Sequence, residues 1–171
     1  MDRDDFYRRE AAIREYIKNG RDINNVLRGS KPLDGSSTYT FFNTVRILDK
    51  SINESRLKRT FRLFRGISGE YCQKLMEDIE KGTTSISDWG YASFSYDINV
   101  ARNYALEKKP LGIIFVYESE VGEMALFVDE ADCEILFPRK TKFVFIRIRE
   151  EIIEGSKVIF IYVEREKSET K

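Results

Sequence analysis

Three short groups of residues carry the chemistry this chain could perform: Arg65-Gly66, Ser93-Phe94-Ser95 and Asp132-Cys133-Glu134, in that order. Each sits beside a strand-like run, and together they supply a cation, a pair of hydroxyls and a carboxylate. A guanidinium grips oxyanions through a fixed fork of donors. A carboxylate stabilises positive charge that develops at a reacting carbon. The sequence holds no histidine. That excludes Ser-His-Asp and Cys-His catalysis, imidazole-ligated zinc and every step needing an imidazole base. Cys72 and Cys133 offer no substitute, since neither has an adjacent base or metal-ligand spacing. A P-loop and a dinucleotide-type glycine fingerprint are also absent.

The elements that must position these groups follow from hydrophobic spacing. Ala12, Ile13, Tyr16 and Ile17 share one face of a helix over 5–18, which Asn19-Gly20 should stop. Asp22 is placed to cap a second, short helix over 23–28, closed by Gly29. Phe41, Val45, Leu48 and Ile52 form an amphipathic stripe expected to lie in the core. From Phe61 the character changes, with a strand over 61–64 that delivers Arg65-Gly66 and a helix over 70–81. A Thr/Ser/Gly-rich loop leads to a strand over 92–95, and Asp97 can cap the helix that follows. Runs over 111–117, 125–128, 134–137, 142–149 and 157–163 are rich in Val, Ile, Phe and Tyr and read as strands. Helices followed by strands predict an α+β fold with mainly antiparallel sheets.

At 171 residues the chain reads as one domain. It divides into a mainly helical lobe over 1–55, a strand-rich core over 56–164 and a charged tail over 165–171 expected to fray. The 29 basic and 29 acidic residues balance, so no global field recommends nucleic acid or an anionic membrane. The start, Met1-Asp2-Arg3-Asp4-Asp5, is charged where a secretory leader is apolar, and no run is long enough to span a bilayer. A reducing cytoplasm is the expected setting, and the Asn53-Glu54-Ser55 sequon is expected to be idle. One local run stands out: Arg56, Lys58, Arg59, Arg62 and Arg65 fall within ten residues that hold no acid. It reads first as an ordinary helix end and strand edge, and more sharply as a phosphate-tracking stripe.

The order Arg, Ser-x-Ser, then a carboxylate two residues before Glu resembles the Arg-Ser-Glu class of mono-ADP-ribosyltransferases. Ile23-Asn24-Asn25-Val26-Leu27-Arg28 looks like the Ile-Asn-x-x-Leu-Arg of its bacterial exoenzyme branch, and Leu63-Phe64-Arg65-Gly66 like its Arg-Gly strand. Gly90-Tyr91-Ala92-Ser93-Phe94-Ser95 is similar to Gly-Phe/Tyr-x-Ser-Thr-Ser, with Phe94 at the middle Thr. Asp132-Cys133-Glu134-Ile135-Leu136-Phe137-Pro138 resembles Glu-x-Glu-Val/Ile-Leu-Leu-Pro. The resemblance runs from Ile13 to about Phe145 and implies an ADP-ribosyltransferase-like α+β fold with N-terminal helices packed on two mainly antiparallel sheets, NAD as substrate, no metal, and transfer of ADP-ribose with release of nicotinamide.

By this resemblance Glu134 holds the ribose that becomes oxocarbenium-like, Ser93 orients Glu134, and Ser95 supports the surrounding strand and loop. Arg65 suits the pyrophosphate, and Gly66 lets the backbone approach the nicotinamide carboxamide. Arg28 and Asn24 would touch phosphate and adenosine, although an i,i+4 pair can also be a solvated face. Phe94 or Tyr104 would flank nicotinamide. Asp132 departs from the pattern, in which Glu goes with arginine acceptors and Gln with amide, thiol or hydroxyl acceptors. Aspartate keeps the charge but is shorter by one methylene, roughly 1.5 Å of reach. A protein acceptor is expected, arginine first, with nucleic acid less favoured and no membrane partner. An NAD glycohydrolase and a non-catalytic NAD-binding module are the rival readings. The diphtheria-toxin-like class, which needs His at the place of Arg65, is excluded by composition. A monomer is expected, working in its own cytoplasm or delivered into a host by separate machinery.

Overall fold

The computed structural model describes residues 1–167. Two helices, α1 (Arg3–Leu27) and α2 (Thr38–Glu54), precede β1 (Arg62–Ser68) and α3 (Glu70–Glu80). Then come β2 (Ser85–Ser87), β3 (Ala92–Ser95), α4 (Ile98–Leu106) and β4 (Leu111–Glu118). The chain ends in β5 (Leu126–Asp129), β6 (Glu134–Phe137), β7 (Lys142–Ile153) and β8 (Ser156–Arg165). The α+β class is as expected.

The eight strands form one ladder in the order β2-β7-β8-β4-β1-β3-β6-β5, antiparallel except for β4 beside β8. Its two halves meet through a single pair, Phe64↔Ser95. By contrast, β1 pairs with β4 along its whole length, from Arg62↔Glu118 to Ser68↔Gly112. The ladder therefore turns a corner at the β1/β3 seam, and the halves bury a common core. Phe94 and Phe137 come from one half, Tyr117 and Phe143 from the other, with Phe94 and Phe143 ring centroids 5.3 Å apart. This is how two packed sheets coexist with one continuous strand order.

A second core forms where Ala12, Ile13 and Tyr16 of α1 and Val45, Leu48 and Ile52 of α2 cover Leu126, Val128 and Leu136. The expected stripe on α2 is thus core, except that Phe41 is only half-buried and the neighbouring Phe42 is exposed. A third packs α4 through Ala101 and Ala105 onto Ile114, Val116, Val158 and Phe160. As expected, Asp97 caps α4 by accepting a hydrogen bond from the Asn99 amide at 2.9 Å.

Three local expectations need correction. The break expected at Asn19-Gly20 is there as a kink, with Asn19 out of helical geometry at φ −126° and ψ 18°, but the second helical segment resumes directly after it and runs to Leu27 instead of starting after Asp22. The buried face continues through the kink from Tyr16 to Ile23 and Asn24, and that packing outweighs the weak helix propensity of Asn and Gly. The end at Gly29 is as expected, with its φ of 77° closing the helix. The Thr/Ser/Gly-rich loop hides β2, which pairs Ile86 with Phe143 at the sheet edge and has no alternation of its own to reveal it. Finally, three strands outlast their predicted ends because each keeps a ladder partner there: β1 runs past 64 to Ser68, paired with Gly112, β7 past 149 to Ile153, paired with Ser156, and β8 past 163 to Arg165, paired with Phe143. Residues 168–171 of the expected tail lie outside the described residues. Among those described, no helix is long and apolar enough to cross a membrane.

Candidate active site

The cleft lies at the seam. Beyond Phe64, β1 has no strand partner on its β3 side, so Arg65 and Gly66 face an opening instead of a ladder. Alternation along β3 sends Ser93 and Ser95 toward that opening and Phe94 the other way. Antiparallel pairing with β6 sets Ser95 opposite Glu134. The result is a cleft of about 440 Å³ lined by Asn24, Arg28, Arg65, Gly66, Ser93, Phe94, Ser95, Tyr104, Asp132 and Glu134, the residues singled out from the sequence. A larger groove of about 950 Å³ runs past Glu118, Arg139 and Glu164 and includes none of these residues.

Ser93 Oγ donates a short hydrogen bond to Glu134 Oε1. Burial pushes the Glu134 carboxyl above the usual carboxylate range. The Ser93 hydrogen bond pulls the other way, while the charges of Asp129 and Asp132 add to the rise. Ser95 Oγ donates to the Asp132 carbonyl at 2.6 Å and accepts from the Asp97 amide at 3.0 Å, tying the turn before Glu134 to the start of α4. Within that turn Cys133 has a left-handed φ of 51°, so the chain reverses sharply between Asp132 and Glu134. The Asp132 side chain stays exposed at the cleft mouth, with half-buried Asp129 beside it. Among the described residues no group of three or more His, Cys, Asp or Glu side chains is arranged to hold a metal ion.

Asp88 was not singled out by sequence reasoning, yet it organises both arginines. Arg28 donates Nε to Asp88 Oδ1 at 2.8 Å and Nη2 to Oδ2 at 2.7 Å, and Arg65 donates Nη2 to Oδ2 at 3.1 Å. The Gly90 amide adds a bond to Oδ1 at 2.9 Å. Burial opposes ionisation of this carboxyl, but the Arg28 hydrogen bonds, the charges of Arg65 and Arg28 and the Gly90 amide together hold it down at about 2. The sequence does contain a local signal, since Asp88-Trp89-Gly90 fits a side-chain turn onto the amide two residues on. Its partners, 60 and 23 residues away, leave no such trace.

Several expected contacts resolve differently. Arg28 reaches the cleft with Nε and one Nη2 proton already given to Asp88, whereas Arg65 gives up one donor only. Asn24 is buried and holds α1 against the start of β3. Its Nδ2 donates to Tyr16 Oη at 2.9 Å, and its Oδ1 accepts from the Tyr91 amide at 2.8 Å. Both candidate rings line the cleft, but Phe94 is 3 % exposed and belongs to the aromatic core, whereas Tyr104 is 46 % exposed and presents far more of its ring there.

Gly66 has a nearer reason to be glycine than a ligand. A Cβ there would sit 1.8 Å from the Ala101 carbonyl oxygen of α4, which is backbone and cannot swing aside. Gly66→Ala should therefore cost about 3 kcal/mol, lowering the melting temperature by roughly 6–12 °C, as calorimetry would read.

The sequence model of the ADP-ribosyltransferase exoenzymes matches residues 8–166. No match is found among curated protein sequences. Among solved structures the fold is similar to Plx2a, an ADP-ribosyltransferase toxin from Paenibacillus larvae. The TM-score is 0.71 at 19 % identity, over 93 % of this chain and 86 % of that one. It is also similar to C3stau2 from S. aureus, solved with NAD, at TM-score 0.67 and 19 % identity over 94 % and 88 % of the two chains. A third is the C3 exoenzyme of Clostridium limosum, at TM-score 0.68 and 17 % identity over 92 % and 85 %.

Proposed function

We propose, given that the chain belongs to the NAD-dependent ADP-ribosyltransferase exoenzyme family, that it transfers ADP-ribose to a protein side chain, arginine first, and releases nicotinamide. The observation that carries this reading is the Ser93–Glu134 hydrogen bond in a cleft that Arg65, Tyr104 and Asp132 also line. Glu134 holds the ribose hydroxyl nearest the anomeric carbon. The glycosidic C–N bond breaks, its electron pair leaves with neutral nicotinamide, and the ribose carbon becomes positive against the carboxylate. Ser93 fixes the rotamer of Glu134, Arg65 binds the diphosphate with its remaining donors, and Tyr104 stacks on the nicotinamide ring. Asp88 orients Arg65 and Arg28. Asn24 and Ser95 act through the backbone they brace.

Arginine is favoured as acceptor because Asp129, Asp132 and Glu134 gather three carboxylates about the turn before β6, a local attraction for a guanidinium, whereas Lys18, Arg21, Arg28 and Arg65 line other parts of the cleft. Its nitrogen forms the new bond to the ribose carbon, and the proton it loses passes to Asp132 or to water. The short reach of Asp132, exposed at the mouth, favours one second reading, in which water replaces the acceptor and the enzyme is an NAD glycohydrolase.

Asp132→Ala separates the two. With adenylate-labelled NAD and agmatine as a small guanidine acceptor, the variant should lose roughly tenfold or more of transfer while nicotinamide release without acceptor stays near wild type. Equal loss of both rates would remove Asp132 from the acceptor role. Wild-type release of nicotinamide with no labelled agmatine or protein would instead establish the glycohydrolase.

A further inference from the structure

Of the basic run seen in the sequence, only Arg65 lines the NAD cleft, and Arg62 pairs with Glu118 at 3.0 Å. The remaining Arg56, Lys58 and Arg59 converge with Arg9 on a separate groove of about 610 Å³. Among the described residues none of these four cations is within ion-pair distance of a carboxylate. Arg9 donates to Ser55 Oγ at 3.1 Å and Arg56 to the Ser55 carbonyl at 2.9 Å. Glu54, the one acid lining the groove, faces Lys50 at 4.0 Å.

The groove wall is aromatic. Phe61 and Tyr96 lie 5.7 Å apart with rings inclined by 30°, and Tyr96 stacks on Phe127 at 6.3 Å and 19°. Tyr96 and Phe127 are both exposed. Tyr96 follows Ser95 directly, and its amide donates to the Cys133 carbonyl at 3.2 Å. The groove and the NAD cleft thus flank the same turn over 129–133. On the cleft side the residues at the turn itself, Asp129, Asp132 and Glu134, are acidic, with Lys18, Arg21, Arg28 and Arg65 elsewhere in the cleft lining, and the groove side is basic.

We propose that this groove docks an acidic, partly apolar segment of the protein acceptor, adjacent to the side chain presented to the cleft. The proposal rests on the acceptor being a protein. A carboxylate-rich segment with interspersed apolar residues complements unpaired cations set over an apolar wall. The same reversal of charge across the turn orients the acceptor, its cationic side chain toward Asp132 and its acidic stretch behind. A single-stranded nucleic acid fits less well. Bases need open ring faces, and here the rings cover one another while the Arg59 guanidinium covers Phe61 at 4.7 Å.

The test uses three fluorescein-labelled probes with the full chain. One is a short peptide with a central arginine flanked by alternating Glu and Leu, the second replaces Glu by Lys, and the third is a short oligouridylate. Anisotropy should show the Glu peptide binding at least about tenfold tighter than the Lys peptide, with affinity falling as salt rises. The double variant K58E/R59E, altered at two exposed positions, should abolish that preference while nicotinamide release without acceptor stays within about twofold of wild type. Equal affinity for the two peptides, or a preference that survives K58E/R59E, overturns the proposal. So does oligouridylate binding that exceeds the Glu peptide and is lost in the variant. Because binding is read without transfer, a Glu peptide that docks but is never modified upholds the groove and refutes arginine as acceptor.

Discussion

Glu134→Gln is expected to lower turnover by on the order of a thousandfold while leaving NAD affinity within a few-fold of wild type. The substitution removes the negative charge but keeps a hydrogen-bonding group of the same size beside Ser93. Ground-state contacts to the ribose survive, and only the stabilisation of the cationic ribose is lost. Stability moves the other way. Burial raises the Glu134 pKa in the folded protein above its ordinary value of about 4.3. A carboxyl raised on folding contributes stability below its unfolded pKa, and that contribution is lost as pH rises through the folded value. At neutral pH the ionised side chain is therefore a burden to the fold, and the Gln variant should melt no lower than wild type. The same shift puts the acid limb of the activity profile above the usual Glu range. Nicotinamide release against pH, NAD binding by calorimetry and a thermal melt read all of this. A Gln variant with near wild-type turnover would refute the assignment of Glu134.

Asp88→Asn should have the largest effect on NAD recognition together with a clear loss of stability. The carboxylate accepts four hydrogen bonds, three from arginines and one from the Gly90 amide. An Asn oxygen can keep some of them, but its NH2 cannot accept from a guanidinium. Breaking a partly buried charged network of this kind costs about 2–3 kcal/mol, or roughly 5–10 °C of melting temperature. The Asp88 pKa is lowered on folding, so its contribution is present above the unfolded pKa and disappears as pH falls toward about 2. The variant should lack that component of acid sensitivity. Without the carboxylate to aim them, Arg28 and Arg65 should bind the diphosphate less well, raising KM for NAD roughly tenfold with a smaller change in kcat. A fall in KM would reverse the interpretation and make Asp88 a competitor for the diphosphate.

The contrast between Glu134 and Asp88 shows what a sequence exposes. Glu134, Ser93 and Ser95 lie on two short strands, and alternation alone brings them to one face once the strands pair. Arg65 at the end of a hydrophobic run is equally legible. Asp88 belongs to a loop, and it gathers partners from α1 and β1 that only the completed fold brings near. Phe94 and Gly66 carry a structural duty that a motif does not reveal. Both line the cleft, as their places in a motif suggest, while side-chain direction also gives Phe94 to the aromatic core and the approach of α4 also requires glycine at 66. Asn19-Gly20 did mark a break in helical geometry, but the buried face that runs through it makes that break a kink and not an end. The strand β2 was invisible because its pairing, and not its own pattern, makes it a strand.

The corner at Phe64↔Ser95 has a mechanical corollary. Arg65 belongs to one half of the ladder and Ser93 and Glu134 to the other, so a molecule that engages both works as a chelate across a seam that strand pairing bridges at one residue pair and the shared core holds by packing. Each end of the ligand raises the effective concentration of the other. Amide hydrogens flanking the joint, on both halves, should consequently exchange more slowly together when NAD is bound, as a single unit.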